Sequence, residues 1–256
     1  MVHVRAYTRT VNGHTVDVAS HDRSGTPNAA SYTELKAAGR AADFNYIETL
    51  PENRKSVITD RAESYAKAVA AIDSATLSET EKHLYKLFYV WEGGMKEHPT
   101  GTVAGITRET MRWAAKDVKG LSRMSWPRDI KTEQLPQVYT NVLDEGLRWA
   151  GGAAALSKIP DVDVAAFVGD TILREGGPSA ARDIQFALND TLGALEQPMI
   201  KPDFKIGIGT IEKIAEVTSS DAGRNKFCSS LEQHRNTRYP DGGDISRTAY
   251  FVSACR

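Results

Sequence analysis

The segment from Ser78 to Gly94 carries a complete set of helix signals, and it constrains the fold more than any other part of the chain. Ser78-Glu79-Thr80-Glu81 is a capping box, in which a hydroxyl and a carboxylate bond backbone N–H groups of the first turn. Helical spacing then joins the apolar residues Leu84, Leu87, Phe88 and Trp91. Gly93 and Gly94 predict the end of the helix, because glycine readily adopts the left-handed conformation that stops one. Glu92 is therefore expected on the last turn.

The rest of the chain shows the same periodicity. Apolar residues at three- and four-residue steps predict further helices at 57–72, 107–116, 132–149, 162–174, 178–192, 209–217 and 222–238. The last of these is expected to be the final long helix. Between Met95 and Gly105 the sequence is short and rich in turn residues, which predicts a small irregular or β insertion after Glu92. The fold class expected from this pattern is mainly α.

The N-terminal 31 residues differ from the rest. Apolar and polar residues alternate on both sides of Asn12-Gly13, which is the strongest short signal for a β-hairpin. Residues 21–31 are polar and read as a linker. A two-stranded ribbon is marginally stable alone in water. We therefore interpret residues 1–31 as an attachment arm that needs a partner surface.

Composition excludes several classes of protein. The 256 residues are 41% hydrophobic, which is typical of a globular protein. They include 32 basic and 33 acidic side chains, so the net charge is near zero and does not favour binding to nucleic acid. No apolar run is long enough for a membrane span, and the first residues lack the apolar core of a secretory signal, so we expect folding in a cytoplasm. The six histidines are scattered, so neither a metal nor a cofactor is expected. Cys228 and Cys255 are read as free thiols, or alternatively as one closing bond, with Cys228 in the core.

Glu92 is the candidate for chemistry. A carboxyl group at the C-terminal end of a helix faces the negative end of the helix dipole, and Phe88, Val90 and Trp91 would exclude water from it. Both effects favour the protonated form, which a general acid needs in order to protonate a glycosidic oxygen. The alternative is an ordinary exposed glutamate at a helix end.

Several motifs around Glu92 resemble one enzyme family. Trp91-Glu92-Gly93-Gly94, followed by Gly105-Ile106-Thr107, is similar to the E-G-G-Y…G-G-x-T-N-x-G-I-T signature of the N-acetylmuramidases of glycoside hydrolase family 108. The stretch from Ala166 to Asn189 resembles the family's F-D-x-x-V-N-x-G-x-x-x-A-x-x-x-L-Q-x-A-L-N. Ile206 to Ile211 resembles the I-G-P-x-T-L of its peptidoglycan-binding module. Order and spacing agree over roughly Glu79 to Tyr239.

The resemblance implies a lysozyme-like helical fold with a short hairpin or loop after the catalytic helix. It implies a catalytic domain at 32–195 and a helical peptidoglycan-binding-like region at 196–256. The implied activity is that of a phage endolysin, a hydrolase without a cofactor that cleaves the β-1,4 bond between N-acetylmuramic acid and N-acetylglucosamine in peptidoglycan. Because Glu92 occupies the position of the family's glutamate, the resemblance implies that it is the catalytic acid.

The chain departs from the family in the loop after Glu92, which is shorter here. The residues His98-Pro99-Thr100-Gly101 stand where the family has Asp-Pro-Gly-Gly, so the family's aspartate is missing. A second polar group that positions water would then be Thr102, Glu97 or His98. Asp170, which lies among apolar residues in its helix, is expected to act as a structural acceptor for the active-site loop.

Aromatic residues are the candidates for sugar stacking. Trp126, beside a proline in a loop, is the best groove residue, and Tyr139 is a second candidate for substrate binding. Trp113 and Trp149 lie on apolar stripes and are expected in the core.

Two other functions stay open. A lytic transglycosylase needs only one acid/base, because a hydroxyl of the sugar is the nucleophile. Alternatively, the chain is a phage structural or peptidoglycan-binding protein that has kept the lysozyme-like fold and lost catalytic activity. In each case we expect bacterial peptidoglycan as partner and location in the virion or in the host cytoplasm before release. The N-terminal arm favours contact with virion proteins.

Overall fold

The computed structural model describes residues 62–240 and 242–255, together with the backbone of four short strands near the N-terminus. The chain divides into two compact units, Met1–Ala62 and Glu63–Arg256. The second unit contains the predicted catalytic domain from residue 63 onward and the predicted C-terminal region, whereas residues 32–62 fall in the first unit. The proposed division at residue 195 stays a prediction from sequence motifs.

The strands of the first unit form two antiparallel pairs. They are β1 (Val2–Val4), β2 (Tyr7–Val11), β3 (His14–Val18) and β4 (His21–Arg23). β1 pairs with β4, and β2 pairs with β3. Such pairing does not establish a stable hairpin arm, since two-stranded ribbons are marginal by themselves. The arm stays a prediction, and the rest of the linker, residues 24–31, lies outside the described residues.

The described part of the second unit is mainly helical, as expected from the sequence. Its α-helices are α1 (Ala62–Ser74), α2 (Glu79–Trp91), α3 (Met111–Ala114), α4 (Leu135–Gly146), α5 (Val162–Glu175), α6 (Gly177–Ala194), α7 (Ile208–Val217), α8 (Asp221–Arg238) and α9 (Gly242–Ala254). Short 3-10 helices lie at Pro127–Asp129, Thr132–Gln134 and Ala153–Lys158.

The helix signals around α2 are confirmed in detail. The backbone N–H of Glu81 donates to the Ser78 hydroxyl at 3.2 Å, and the Glu81 carboxylate accepts from the Ser78 backbone N–H at 2.9 Å. The helix ends at Trp91, and Gly93 and Gly94 adopt left-handed φ values of 78° and 70°. Glu92 therefore caps the helix.

Other boundaries differ from the expectation. The helix predicted at 107–116 is limited to α3, and the one predicted at 132–149 begins with a 3-10 turn and ends at Gly146. The expectation that α8 is the final long helix is wrong, because α9 follows it. The start of α9 contains two glycines, which disfavour a helix, so periodicity alone missed it.

Helix α5 lies at the centre of this unit. Every residue from Val164 to Leu173 is buried, and α5 packs against α2, α4, α6 and α9. Gly169 permits the close approach to α2, because a Cβ there would lie 2.3 Å from a Leu84 methyl carbon. On the side of α9, the rings of Phe167 and Phe251 stack at 5.0 Å. Residues of α5 and α9 thereby share one core with the end of α2.

Candidate functional site

Glu92 lies at the cap of α2, where its backbone N–H donates to the Phe88 carbonyl oxygen at 2.9 Å. Its side chain is 17% exposed, so it is accessible from outside and largely surrounded by protein. The position is the one expected from the sequence. A carboxyl group in such a place can meet a ligand while most of its surroundings are fixed.

A tight turn packs directly on Glu92. Val103 and Ile106 exchange backbone hydrogen bonds of 3.1 and 2.8 Å as an isolated β-bridge. The two residues between them, Ala104 and Gly105, have φ values of 49° and 79°, as a two-residue hairpin turn requires. A Cβ at Gly105 would lie 2.7 Å from Glu92 Cγ and 2.4 Å from Phe88 Cε1. The insertion expected after Glu92 is thus this small turn, and Gly105 lets it approach the glutamate.

Arg247 of α9 is the partner of Glu92, and sequence reasoning missed it. Its Nη1 donates to Glu92 Oε1, and its Nε donates to both carboxylate oxygens of Asp170 at 3.0 Å. Its Nη2 donates to the Asp170 carboxylate as well. The Arg247 side chain is 5% exposed and its guanidinium carbon lies 5.0 Å from the centre of the Phe88 ring. Arg247 therefore places a positive charge against Glu92, in addition to the helix end and the apolar neighbours expected from the sequence.

Asp170 is completely buried on α5 and accepts from two arginines. Arg235 Nη1 of α8 donates to it at 2.9 Å, in addition to Arg247. Burial opposes the ionisation of Asp170, but the two guanidinium groups outweigh it and hold its pKa below the ordinary value. Burial likewise works against the charge on Arg247, yet Asp170 and Glu92 raise its pKa above the ordinary value.

The role expected for Asp170 is therefore corrected. It was expected to accept hydrogen bonds from the loop after Glu92, but its described partners are side chains of the C-terminal helices. The two guanidinium groups supply the opposite charge that compensates the burial of this carboxylate. An aspartate inside an apolar helix was a signal that a buried cation must exist, although the sequence does not say which one.

The pairing continues beyond Asp170. Arg235 Nε lies 3.3 Å from Glu175 Oε1, with both side chains fully buried, and Arg238 binds both oxygens of Asp183 at 2.9 and 2.6 Å. Burial raises the pKa of Glu175 to about 8, and the nearby Asp183 carboxylate adds to the rise. We call this row of neighbouring acidic and basic side chains the charge chain: Glu92, Arg247, Asp170, Arg235, Glu175, Asp183 and Arg238.

The loop residues predicted to position water contact one another and a neighbouring loop. His98 Nδ1 is 2.9 Å from the Thr100 hydroxyl, which is 3.0 Å from the Thr102 hydroxyl. Glu97 pairs with Arg128 at 3.9 Å, and both side chains are about half exposed. None of the described hydrogen bonds of these residues reaches Glu92. Their role in positioning water stays a prediction.

Tyr139 does not form a surface for sugar stacking. It is fully buried, its hydroxyl donates to the Ala104 carbonyl oxygen at 3.0 Å, and its ring meets Phe88 edge to face at 5.3 Å. Burial raises the pKa of Tyr139 well above the ordinary value, and the Glu92 charge raises it further. The prediction of substrate binding is corrected: Tyr139 supports the turn beside Glu92.

The exposure of Trp126 agrees with its expected place in a loop, but that of Trp149 differs from the prediction. Trp126 is 47% exposed, with the guanidinium carbons of Arg108 and Arg128 at 4.6 and 5.4 Å from its ring. Trp149, expected in the core, is 54% exposed, because α4 has ended before it. Trp126 is therefore about half exposed, with two guanidinium groups over its ring.

An open groove of about 640 Å³ lies beside the start of the loop after Glu92 and the segment after Trp126. Met95, which follows the Glu92–Gly94 turn in the chain, contributes to its wall. The rest of the wall comes from α1 and from the segment after Trp126: Lys67, Ala70, Ala71, Ser74, Ile130, Lys131, Thr132 and Glu133.

No cluster of three or more potential metal ligands occurs among the described residues. Cys228 and Cys255 are both free and buried, which confirms Cys228 as a core residue. Within the same described residues, no helix combines the length and apolar character needed to cross a membrane.

Comparison with known proteins finds no protein family, curated protein or solved structure that matches the chain. The assignment to a glycoside hydrolase family therefore stays a prediction from the sequence motifs.

Proposed function

We propose that this chain is a peptidoglycan hydrolase of the muramidase type, built on a lysozyme-like helical frame. The observation that carries the proposal is the position of Glu92 and what surrounds it. It caps a buried helix, is partly exposed, and is enclosed by Phe88, the Gly105 turn and Arg247. Fixed surroundings and limited access to solvent suit a carboxyl group that exchanges protons with a bound sugar.

The proposed reaction uses Glu92 twice. In its protonated form it donates a proton to the bridging oxygen as the bond from that oxygen to the anomeric carbon of N-acetylmuramic acid breaks. The resulting carboxylate then takes a proton from the water that adds to the anomeric carbon, which restores the acid.

Trp126 and its cations supply a binding surface for the glycan. A flat indole ring can stack on the apolar face of a sugar, and Arg108 and Arg128 flank it. Peptidoglycan carries carboxylate groups, so positive charge beside the ring favours its binding.

The lytic transglycosylase is the second candidate, and one observation favours it. The carboxylate of Glu97, the acidic candidate in the loop after Glu92, is paired with Arg128 on the surface. A transglycosylase needs a single acid/base, whereas hydrolysis generally uses two carboxylates. Mass spectrometry of the released muropeptides separates the two, because a 1,6-anhydro end forms only without water.

The biological setting is part of the proposal. We place the protein in a phage virion, or in the host cytoplasm before release, with the bacterial cell wall as its target. The N-terminal 31 residues would dock to virion proteins. If catalysis is absent, the remaining proposal is a phage structural protein that binds peptidoglycan.

The test is a turbidity or dye-release assay on purified cell walls. We expect wild type to degrade walls and Glu92→Gln to lose about 10²- to 10⁴-fold in rate, as is usual when an acid/base group is removed. Glu109→Gln is the matched control, because Glu109 is an exposed glutamate that takes no part in the proposed site. Circular dichroism must show the same helix content for all three. Full wall degradation by Glu92→Gln would remove Glu92 from the mechanism.

A further inference from the structure

We infer that Arg247 is the positioning residue for Glu92, that Asp170 holds Arg247 in place, and that helix α9 thereby completes the active site. This inference rests on the proposed function. Helix α9 lies in the region that the sequence motifs predict to bind peptidoglycan. The inference gives this helix a role in catalysis as well.

A glutamate at the end of a helix needs a partner to hold its side chain. Three rotatable bonds separate the Glu92 carboxylate from the backbone, and the residue already lies beyond the last helical turn. The Gly105 turn limits the space beside Cγ, and Arg247 Nη1 binds Oε1. Together these contacts leave the carboxylate one main orientation.

Arg247 is itself held more firmly than a surface arginine. Its Nε and Nη2 face the Asp170 carboxylate in the two-pronged geometry that suits guanidinium and carboxylate groups, and its plane lies over Phe88. Asp170 cannot move away, because it is fully buried on α5 and also bound by Arg235. The position of Glu92 is therefore set by the core of the protein.

The contact also determines which oxygen of Glu92 carries the proton. Every hydrogen on the Arg247 guanidinium is a donor, and the carbonyl oxygen of a carboxyl group accepts better than its hydroxyl oxygen, so this contact favours Oε1 as the carbonyl oxygen when Glu92 is protonated. The proton then resides on Oε2, which leaves it available to the glycosidic oxygen. An unguided carboxyl group would place the proton on either oxygen.

The experiment measures kcat and KM on soluble peptidoglycan fragments for wild type, Arg247→Gln, Arg247→Lys, Asp170→Asn and Arg238→Gln. We expect kcat to fall about 10- to 100-fold in Arg247→Gln, the loss usual for a misplaced reacting group, with KM within about twofold. Asp170→Asn should change kcat in the same direction. Arg247→Lys, which keeps a donor and a charge, should recover part of kcat.

Arg238→Gln is the matched control, because it removes an arginine from the far end of the charge chain. We expect it to lower stability without lowering kcat. An equal loss of kcat in Arg238→Gln and Arg247→Gln would show a purely structural role and overturn the inference. If Arg247→Gln does not fold, Arg247→Lys and Asp170→Asn decide together, since wild-type kcat in both variants overturns the inference as well.

The two proposals fail in different ways. If wild type does not degrade peptidoglycan, the proposed function and this inference fall together. If wild type is active and Glu92→Gln is not, yet both Arg247 variants keep wild-type kcat, only the inference falls.

Discussion

The Tyr139 hydroxyl donates a hydrogen bond to the Ala104 carbonyl oxygen at 3.0 Å, joining α4 to the turn that packs on Glu92. Both groups are buried, and Ala104 has an unusual left-handed φ of 49°. A non-glycine residue in that conformation needs support from its surroundings. Tyr139 provides part of it.

Tyr139→Phe should therefore lower the free energy of unfolding by about 1–3 kcal/mol, because it leaves a buried carbonyl group unpaired. It should also reduce wall degradation. Tyr85→Phe is a suitable control: Tyr85 is equally buried, and its hydroxyl lies 2.9 Å from Thr140 Oγ1, away from the turn. Denaturant unfolding and the turbidity assay measure the two effects. Equal activity losses in the two variants would show that the turn has no special role.

Gly105→Ala should be far more harmful than Gly101→Ala. Both glycines have a φ of 79°, so alanine costs about 1–2 kcal/mol of strain at either position. At Gly105 the new methyl group would also overlap Phe88 and Glu92, whereas at Gly101 it meets nothing within 4 Å. We expect a further loss of about 1–3 kcal/mol and lower activity for Gly105→Ala. Similar unfolding midpoints for the two variants would contradict the described packing.

The pKa of Glu175 predicts that stability falls as pH rises. Because burial raises this pKa from 4.5 to about 8, the folded protein keeps a proton that the unfolded chain loses between these values. Folding is therefore favoured below pH 4.5, and this contribution is lost progressively up to about pH 8, at no more than about 1.4 kcal/mol per pH unit. Glu175→Gln should flatten the dependence of the unfolding midpoint on pH across this window. An unchanged slope in the variant would assign the dependence to other groups.

Trp126→Ala should weaken the binding of cell walls by about tenfold, equivalent to about 1.4 kcal/mol. The reason is the loss of an exposed ring flanked by Arg108 and Arg128. Trp149→Ala provides the comparison, because Trp149 is similarly exposed and lies near Arg148 and Lys205. Co-sedimentation with insoluble walls measures both. If Trp149→Ala gives the larger loss, the glycan surface has been placed wrongly.

Cys228 and Cys255 should not react with a thiol reagent in the native protein. Their mutual contact and burial raise the pKa of the Cys228 thiol, which disfavours the reactive thiolate. Titration with an aromatic disulfide should count no thiol before unfolding and both afterwards. Rapid native labelling would indicate that α8 and α9 separate easily.

The sequence predicted the features that depend on neighbours along the chain. The capping box at Ser78 and the glycines after Glu92 determine where α2 begins and ends, because both act within one helical turn. The position of Glu92 follows from them. The mainly helical class follows in the same way from periodicity.

Features that depend on distant contacts were not predictable. Tyr139 and Trp149 both follow helical spacing, yet one is buried and the other exposed, because the end of α4 separates them. Asp170 signalled a buried cation without identifying Arg235 or Arg247. Nothing in local spacing brings the residues of α9 to the cap of α2.

The pairing of Glu92 with Arg247 joins positions that are 155 residues apart. The guanidinium is therefore synthesised long after the carboxylate, and the pair can form only once Arg247 has left the ribosome. A nascent chain that stops before Arg247 would hold its glutamate without this ion pair. Formation of the pair thus depends on the late synthesis of α9 and not only on the local folding of α2.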